Sequence, residues 1–230
     1  RQMCIRDRRK LYLAAVVDAR EKLRAAKPED KMTVFAVLMR LREICCDPRL
    51  VADNWTGSSA KLEACLELVT EAVAGGHRIL LFSQFTSMLE LLAKRLDEAG
   101  VSHFTLQGST PKPVRAEQVR RFNQGEADVF LISLRAGGTG LNLTAADIVI
   151  HYDPWWNLAA QNQATDRAYR IGQRNPVQVY RLIAQDTIEE KIVELQQAKQ
   201  SLADTVTGGA DGAILSMNPE QLLQLLGEEA

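Results

Sequence analysis

The sequence predicts an α/β fold in which helices cover a mainly parallel sheet, and two observations predict this class. The 230 residues are 46% hydrophobic and 25% charged, a balance that lets one domain bury a sizeable core. After Gly76, short apolar runs of strand length alternate with longer runs in which apolar residues recur at helical spacing. Such alternation is typical of parallel strands joined by crossover helices.

The predicted strands are short and apolar, and turn-forming or acidic residues bound them. They are residues 79–82, 103–106, 129–133, 148–152 and a longer run, 177–184. The helices are predicted from apolar periodicity and from end signals such as Gly100. They are residues 61–74, a helix opened by the capping box Ser87-x-x-Glu90 and ending at Ala99, residues 115–123, and a helix capped by Thr187-x-x-Glu190.

Further helical segments flank this alternating region. Residues 11–24 and 32–46 have helical periodicity, and residues 48–60 are predicted to be a linker. Near the C-terminus, residues 208–212 predict a flexible joint, and Asn218 followed by Pro219 predicts the cap and first position of a short helix. We therefore expect three segments: a helical lead-in and linker at 1–60, the α/β lobe at 61–203, and the joint with its helix at 204–230.

Charge and cysteine content narrow the function classes. The formal net charge is −1, but residues 1–50 hold 13 Lys and Arg against 7 Asp and Glu, so a nucleic-acid partner remains compatible with the composition. The four cysteines have no Cys-x-x-Cys spacing, which favours reduced intracellular thiols and no metal site. No apolar run reaches 18 residues and no signal peptide is recognisable, so we expect a cytosolic or nucleic-acid-associated protein with no membrane partner.

Unusual polar and glycine-rich stretches follow the predicted strands, at the sheet edge where open α/β folds bind ligands. Gly108-Ser109-Thr110 and the Gly137 to Gly140 run could offer backbone N–H groups to phosphates, although plain tight turns have the same composition. In the Trp155-Trp156 pair, we expect one indole in the core and the other, Trp156, in a nucleic-acid groove. The three histidines are interpreted as structural.

The stretch from Gln163 to Arg174 carries the most specific pattern. On a helix, Gln163, Arg167 and Arg170 fall at i, i+4 and i+7, so one face would present all three. Two guanidiniums on one face can bind a phosphoryl group through planar bidentate donors. A solvated basic face, or ion pairs with acids such as Asp166, would produce the same local pattern.

Taken together, three stretches resemble motifs IV, V and VI of the Swi/Snf family of ATP-dependent DNA translocases, a branch of the superfamily-two helicases. They are Phe82-Ser83-Gln84-Phe85, the run Ala136 to Leu143, and the run Gln163 to Gln173. The resemblance covers about residues 38–203 and looks bacterial in type. It implies that the fold is the second RecA-like lobe of the motor, a three-layer lobe with helices on both faces of the sheet.

The resemblance also implies roles for individual residues. Arg167 and Arg170 would be arginine fingers directed at ATP. Residues of motifs V and VI would lie near the nucleotide cleft, and a second group would contact the DNA backbone. The first group is Gly138, Gly140, Asn142 and Gln163; the second is Ser83, Gln84, Ser109, Thr110, Arg135 and Trp156.

The sequence contains neither a Gly-Lys-Thr/Ser phosphate loop nor an Asp-Glu-x-x metal motif. By the same resemblance, ATP and Mg²⁺ would therefore be held mainly by a first RecA-like lobe upstream. Partners would be that lobe, double-stranded DNA and a DNA-bound protein complex, at a bacterial nucleoid in the cytoplasm or in a nucleus. An RNA-directed helicase lobe and a non-enzymatic nucleic-acid-binding module are the alternatives.

Overall fold

A computed structural model describes residues 2–52, 54–57, 59–134, 141–155, 158–168, 176–203 and 217–227. They form two compact units. The helical unit comprises residues 1–61 and 183–230, and the sheet unit comprises residues 62–182. The elements, in chain order, are α1 (Gln2–Ala25), α2 (Lys31–Cys46), a 3₁₀ turn (Pro48–Leu50), α3 (Ala60–Ala74), β1 (Ile79–Ser83), α4 (Thr86–Glu98), β2 (His103–Leu106), α5 (Lys112–Asn123), β3 (Val129–Ser133), β4 (Ile148–His151), α6 (Leu158–Thr165), β5 (Gln178–Arg181), α7 (Ile188–Ala203) and α8 (Pro219–Leu225).

The sheet unit is built on a five-stranded sheet with the order β2-β3-β1-β4-β5. All pairings are parallel, as the alternation of strands and helices predicts. Every residue of β1, β3 and β4 is buried, because these strands lie inside the sheet with both faces covered. The α/β fold class is confirmed.

The last strand differs from its prediction. β5 has four residues, Gln178–Arg181, instead of the longer run 177–184. Three of its four residues are exposed, because β5 is an edge strand and pairs only with β4. Val177 still packs against the core, so apolarity extended the predicted strand beyond its hydrogen-bonded residues.

The helix ends confirm some sequence signals and correct another. Gly100 follows α4 with φ of 69°, as expected for a glycine stop. The Asn218 side chain accepts from the Gln221 N–H in a complete capping box, with Pro219 at the first position of α8. The predicted capping box at Ser87 is wrong, because α4 already begins at Thr86. The residue at the N-cap position is Phe85, whose side chain makes no capping hydrogen bond.

Thr187 caps α7 as predicted, because α7 begins at Ile188, but the capping box is incomplete. The Thr187 Oγ1 accepts from the Glu189 N–H at 3.2 Å, as a cap should. Glu190, however, accepts from the Asp186 N–H at 3.0 Å rather than from Thr187. Asp186 has φ of 56°, so the backbone at this turn differs from a regular capping box.

In the helical unit, α2 packs against α1, α7 and α8. The Arg20 Nη2 on α1 donates to the Leu226 carbonyl at 2.6 Å. This carbonyl lies just after α8, where helix carbonyls have no partner within the helix. Burial raises the pKa of the Cys45 thiol to about 12, so this cysteine stays protonated. α7 lies in this unit with the N-terminal helices, whereas the segments predicted from sequence place α7 in the α/β lobe at 61–203. The three-segment division stays a prediction.

None of the described helices combines the length and apolarity that crossing a membrane would require.

Candidate functional site

At the carboxyl ends of β1 and β4, a buried network joins Ser83 to Asp153. The Ser83 hydroxyl donates to Asp153 Oδ1 at 2.5 Å, and the Gln84 N–H donates to the same carboxylate at 3.2 and 3.3 Å. Ser83 and Asp153 are fully buried, and Gln84 is 6% exposed. Both residues are thus buried in this structure, and their expected DNA contacts stay a prediction.

The network instead sets the position of the next helix. The Ser83 Oγ accepts from the Phe85 N–H at 3.2 Å, so one hydroxyl bridges Asp153 and the start of α4. Sequence reasoning missed Asp153 as a positioning residue, although a carboxylate directly after an apolar strand at this edge is a recognisable signal.

The turn after β2 is the most accessible of the predicted contact loops. Ser109 is exposed and Thr110 is half-buried, and both precede α5. The Thr110 Oγ1 accepts from the Gln107 N–H at 3.0 Å, and the Thr110 N–H donates to the Gln107 carbonyl at 3.1 Å. These bonds fix the turn, and Ser109 is exposed three residues before α5, whose N-terminus is the positive end of the helix dipole.

The segment that leads into β4 is held from two sides. Asn123, the last residue of α5, donates through Nδ2 to the Asn142 carbonyl at 2.8 Å and accepts through Oδ1 from the Ala145 N–H at 3.3 Å. The Leu143 N–H donates to the Arg167 carbonyl at 3.2 Å. The structure therefore joins Arg167 to Leu143, the neighbour of Asn142, through a main-chain hydrogen bond, and Asn123 is a residue of this region that sequence reasoning missed.

The expected arginine face is corrected at Arg167. α6 ends at Thr165, and the N–H groups of Arg167 and Ala168 bond to carbonyls three residues earlier, which tightens the chain into a turn. Gln163 is exposed, whereas Arg167 is 2% exposed, so the two side chains do not share an exposed face. Arg167 is instead buried, and Ala164 and Ala168 on either side of it in the sequence belong to the hydrophobic core.

A side-chain contact between His151 and Thr165 joins β4 to α6. The His151 Nε2 lies 2.9 Å from the Thr165 Oγ1, and its ring stacks on Phe82 with centroids 5.5 Å apart. Burial, assisted by the positive charge of Arg181, lowers the pKa of His151 to about 4. The ring is neutral at physiological pH, which agrees with its structural interpretation. At the start of this region, Gln161 accepts from the Trp155 N–H at 3.1 Å.

Several predicted site residues lie outside the described residues, namely Arg135, Gly138, Gly140, Trp156 and Arg170. Within the described ranges, no group of three or more His, Cys, Asp or Glu side chains could hold a metal ion.

Comparisons with known proteins identify the family. A family model described as the helicase conserved C-terminal domain matches residues 60–172. The solved C-terminal domain of the Sulfolobus solfataricus SWI2/SNF2 ATPase superposes on 97% of this chain and 94% of its own, with a TM-score of 0.78 and 26% identity. The chain is a helicase C-terminal lobe of the Swi/Snf family. The RecA-like fold and the family resemblance are thereby confirmed.

Other relatives of this Swi/Snf lobe are longer proteins. A Bacillus subtilis protein, YwqA, named as an ATP-dependent helicase/translocase, is 41% identical over 201 residues, or 85% of this chain and 22% of its own. The Sulfolobus solfataricus SWI2/SNF2 ATPase core solved in complex with double-stranded DNA matches 97% of this chain and 48% of its own, at 28% identity and a TM-score of 0.78. The chain spans about a fifth of the length of the curated relatives it matches.

Proposed function

We propose that this Swi/Snf lobe is the second motor lobe of an ATP-dependent translocase on double-stranded DNA. In this proposal a first RecA-like lobe of the same protein holds ATP and Mg²⁺, and the present lobe supplies arginines to ATP and contacts to the DNA backbone. The protein then works where DNA is, in a nucleoid or a nucleus, and could displace a DNA-bound protein complex. The observation that carries the proposal is that the Sulfolobus core solved with double-stranded DNA covers 97% of this chain in the structural comparison.

On the DNA side, the turn before α5 is the proposed phosphate contact. Ser109 is exposed, and the positive end of the α5 dipole lies at the same place, which favours an anion. Contacts of this kind are made to the DNA backbone and carry no sequence information. Arg135 and Trp156 are proposed as further contacts from sequence, whereas the burial of Ser83 and Gln84 favours a supporting role for both.

On the ATP side, Arg170 and Arg167 are the proposed arginine fingers, with Gly138, Gly140, Asn142 and Gln163 beside the cleft. Asn142 and Gln163 are exposed, which supports a contact outside the lobe. A planar guanidinium stabilises the negative charge that spreads over the phosphoryl oxygens as the bond to the leaving group breaks. The burial of Arg167 implies that its replacement also disturbs packing.

The test is ATP turnover by the full-length protein with and without double-stranded DNA. Arg170→Ala is expected to lower DNA-stimulated turnover by about 10³-fold, with an unchanged melting temperature. Arg170→Lys should rescue poorly, because an ammonium group cannot reproduce the planar fork. Arg167→Lys should lower both turnover and melting temperature, because Arg167 is 2% exposed.

Two controls separate the alternatives. The 230-residue lobe alone is expected to show no DNA-stimulated turnover, because the phosphates and Mg²⁺ have no binding site in it. RNA in place of DNA should not stimulate the full-length protein. Turnover by Arg170→Ala that falls only in proportion to the folded fraction would contradict the arginine-finger role, and stimulation by RNA alone would contradict the DNA substrate.

A further inference from the structure

Asn123 uses both ends of its carboxamide, one as a donor and the other as an acceptor. Its Nδ2 donates to the Asn142 carbonyl at 2.8 Å, and its Oδ1 accepts from the Ala145 N–H at 3.3 Å. A carboxamide provides a donor and an acceptor on one planar group, whereas a carboxylate only accepts. The side chain therefore fixes both ends of a four-residue stretch of main chain to the end of α5.

The stretch held by Asn123 lies next to two parts of the proposed ATP side. In sequence it follows Gly140 closely, and in space the Leu143 N–H donates to the Arg167 carbonyl at 3.2 Å. Leu143 is fully buried in the core that also contains Ala164 and Ala168. The position of the main chain at Arg167 therefore depends on the position of residues 142–145.

The opposite end of α5 carries the proposed DNA contact. α5 begins at Lys112, directly after the turn that contains Ser109 and Thr110. Twelve residues of α-helix are about 18 Å long and behave as one rigid element. Phe122, next to Asn123, packs in the core with its ring 5.3 Å from that of Phe130, so the Asn123 end of α5 has a defined position on the sheet.

We propose that Asn123 is a positioning residue that couples the DNA-contacting turn to Arg167, through α5 and residues 142–145. The inference rests on the proposed function, and it adds a residue and a route to it. Asn123 touches neither ATP nor DNA in this scheme. Its loss is expected to reduce the increase in turnover that DNA produces, while the turnover without DNA and the affinity for DNA stay the same.

The test compares Asn123→Ala with wild type in the full-length protein. Two solvent-exposed hydrogen bonds connect α5 to the stretch, so we expect DNA-stimulated kcat to fall about tenfold. The KM for ATP without DNA and the Kd for double-stranded DNA should stay within about twofold of wild type. The melting temperature should stay within about 2 °C. Asn123→Asp should not rescue, because it removes the donor and sets a charged oxygen against the Asn142 carbonyl.

The matched control is Gln124→Ala, which removes a neighbouring exposed amide whose bond to Arg120 stays within α5. It should leave DNA stimulation unchanged. Equal losses in Asn123→Ala and Gln124→Ala, or a loss of kcat that parallels a lower melting temperature, would show a merely structural role and overturn the inference.

Hydrogen exchange distinguishes failure of this inference from failure of the proposed function. Asn123→Ala should speed exchange of the Ala145 and Leu143 amides, and this result does not depend on ATP turnover. Unchanged exchange at both amides would overturn the inference even if the motor works. Absence of DNA stimulation in the wild-type protein would instead refute the proposed function, and the coupling with it, while faster exchange would still identify the contact.

Discussion

Replacement of Glu189 by glutamine is expected to destabilise the helical unit by about 3–5 kcal/mol. The Lys61 Nζ lies 2.7 Å from both carboxylate oxygens of Glu189, and the two side chains are 5% and 0% exposed. Removing the negative charge leaves the buried ammonium without its counter-charge. For a chain of this length, this loss corresponds to a fall in melting temperature of about 6–20 °C.

The second variant tests whether charge is the cause. The double variant Lys61→Met and Glu189→Gln removes both charges of this buried pair. The new amide oxygen can still accept from the Ala184 N–H, which lies 2.8 Å from Glu189 in the native protein. Because neutral replacement of a buried ion pair is often close to neutral in stability, the double variant should recover most of the loss.

The measurement is urea or thermal unfolding followed by circular dichroism. Glu194→Gln is the matched control on the same helix, because Lys191 and Glu194 form an ion pair of 3.1 Å whose side chains are 49% and 57% exposed. Its expected cost is below about 0.5 kcal/mol. Equal shifts for Glu189→Gln and Glu194→Gln, or a double variant no more stable than Glu189→Gln, would refute the argument.

Two further predictions concern the sheet unit. Burial lowers the pKa of His151 from 6.5 to about 4, so the unfolded chain takes up a proton before the folded chain does as pH falls. The free energy of unfolding should therefore fall by about 2 kcal/mol between pH 7 and pH 5. Urea unfolding of His151→Gln should lack that loss. The affinity of the full-length protein for double-stranded DNA should be independent of sequence and should fall steeply with salt. Ser109→Glu should weaken this affinity about tenfold at low salt, whereas the control Gln197→Glu, at another exposed position, should not. An equal effect of both variants would contradict the Ser109 contact.

The sequence predicted the sheet well because its central strands are apolar on both faces. β1, β3 and β4 are apolar up to their last residues, Ser83, Ser133 and His151, and the structure buries every residue of all three strands. Helix ends were predictable where a local signal decides them, as at Gly100 and Asn218. The signal at Ser87 failed because tertiary contacts determine the start of α4: the Ser83 hydroxyl, fixed by Asp153, binds the Phe85 N–H.

The site was less predictable, because spacing along a helix does not show where the helix ends. Residues 163–170 have helical spacing, and periodicity alone places Gln163 and Arg167 on one face. Their separation arises from long-range contacts: α6 ends at Thr165, whose hydroxyl meets His151, and the Arg167 carbonyl binds the Leu143 N–H. Neither partner is close in sequence, so no local pattern contains this information.

The burial of Arg167 changes what an arginine substitution can mean in this lobe. An arginine that is 2% exposed contributes to packing through its methylene groups as well as presenting a charge, so loss of turnover in an Arg167 variant has two sources. The Asn123 variant does not have this ambiguity, because its side chain is exposed and acts on the main chain of the same region. If Asn123→Ala lowers DNA-stimulated turnover without lowering stability, the position of Arg167 matters for turnover independently of its contribution to the core.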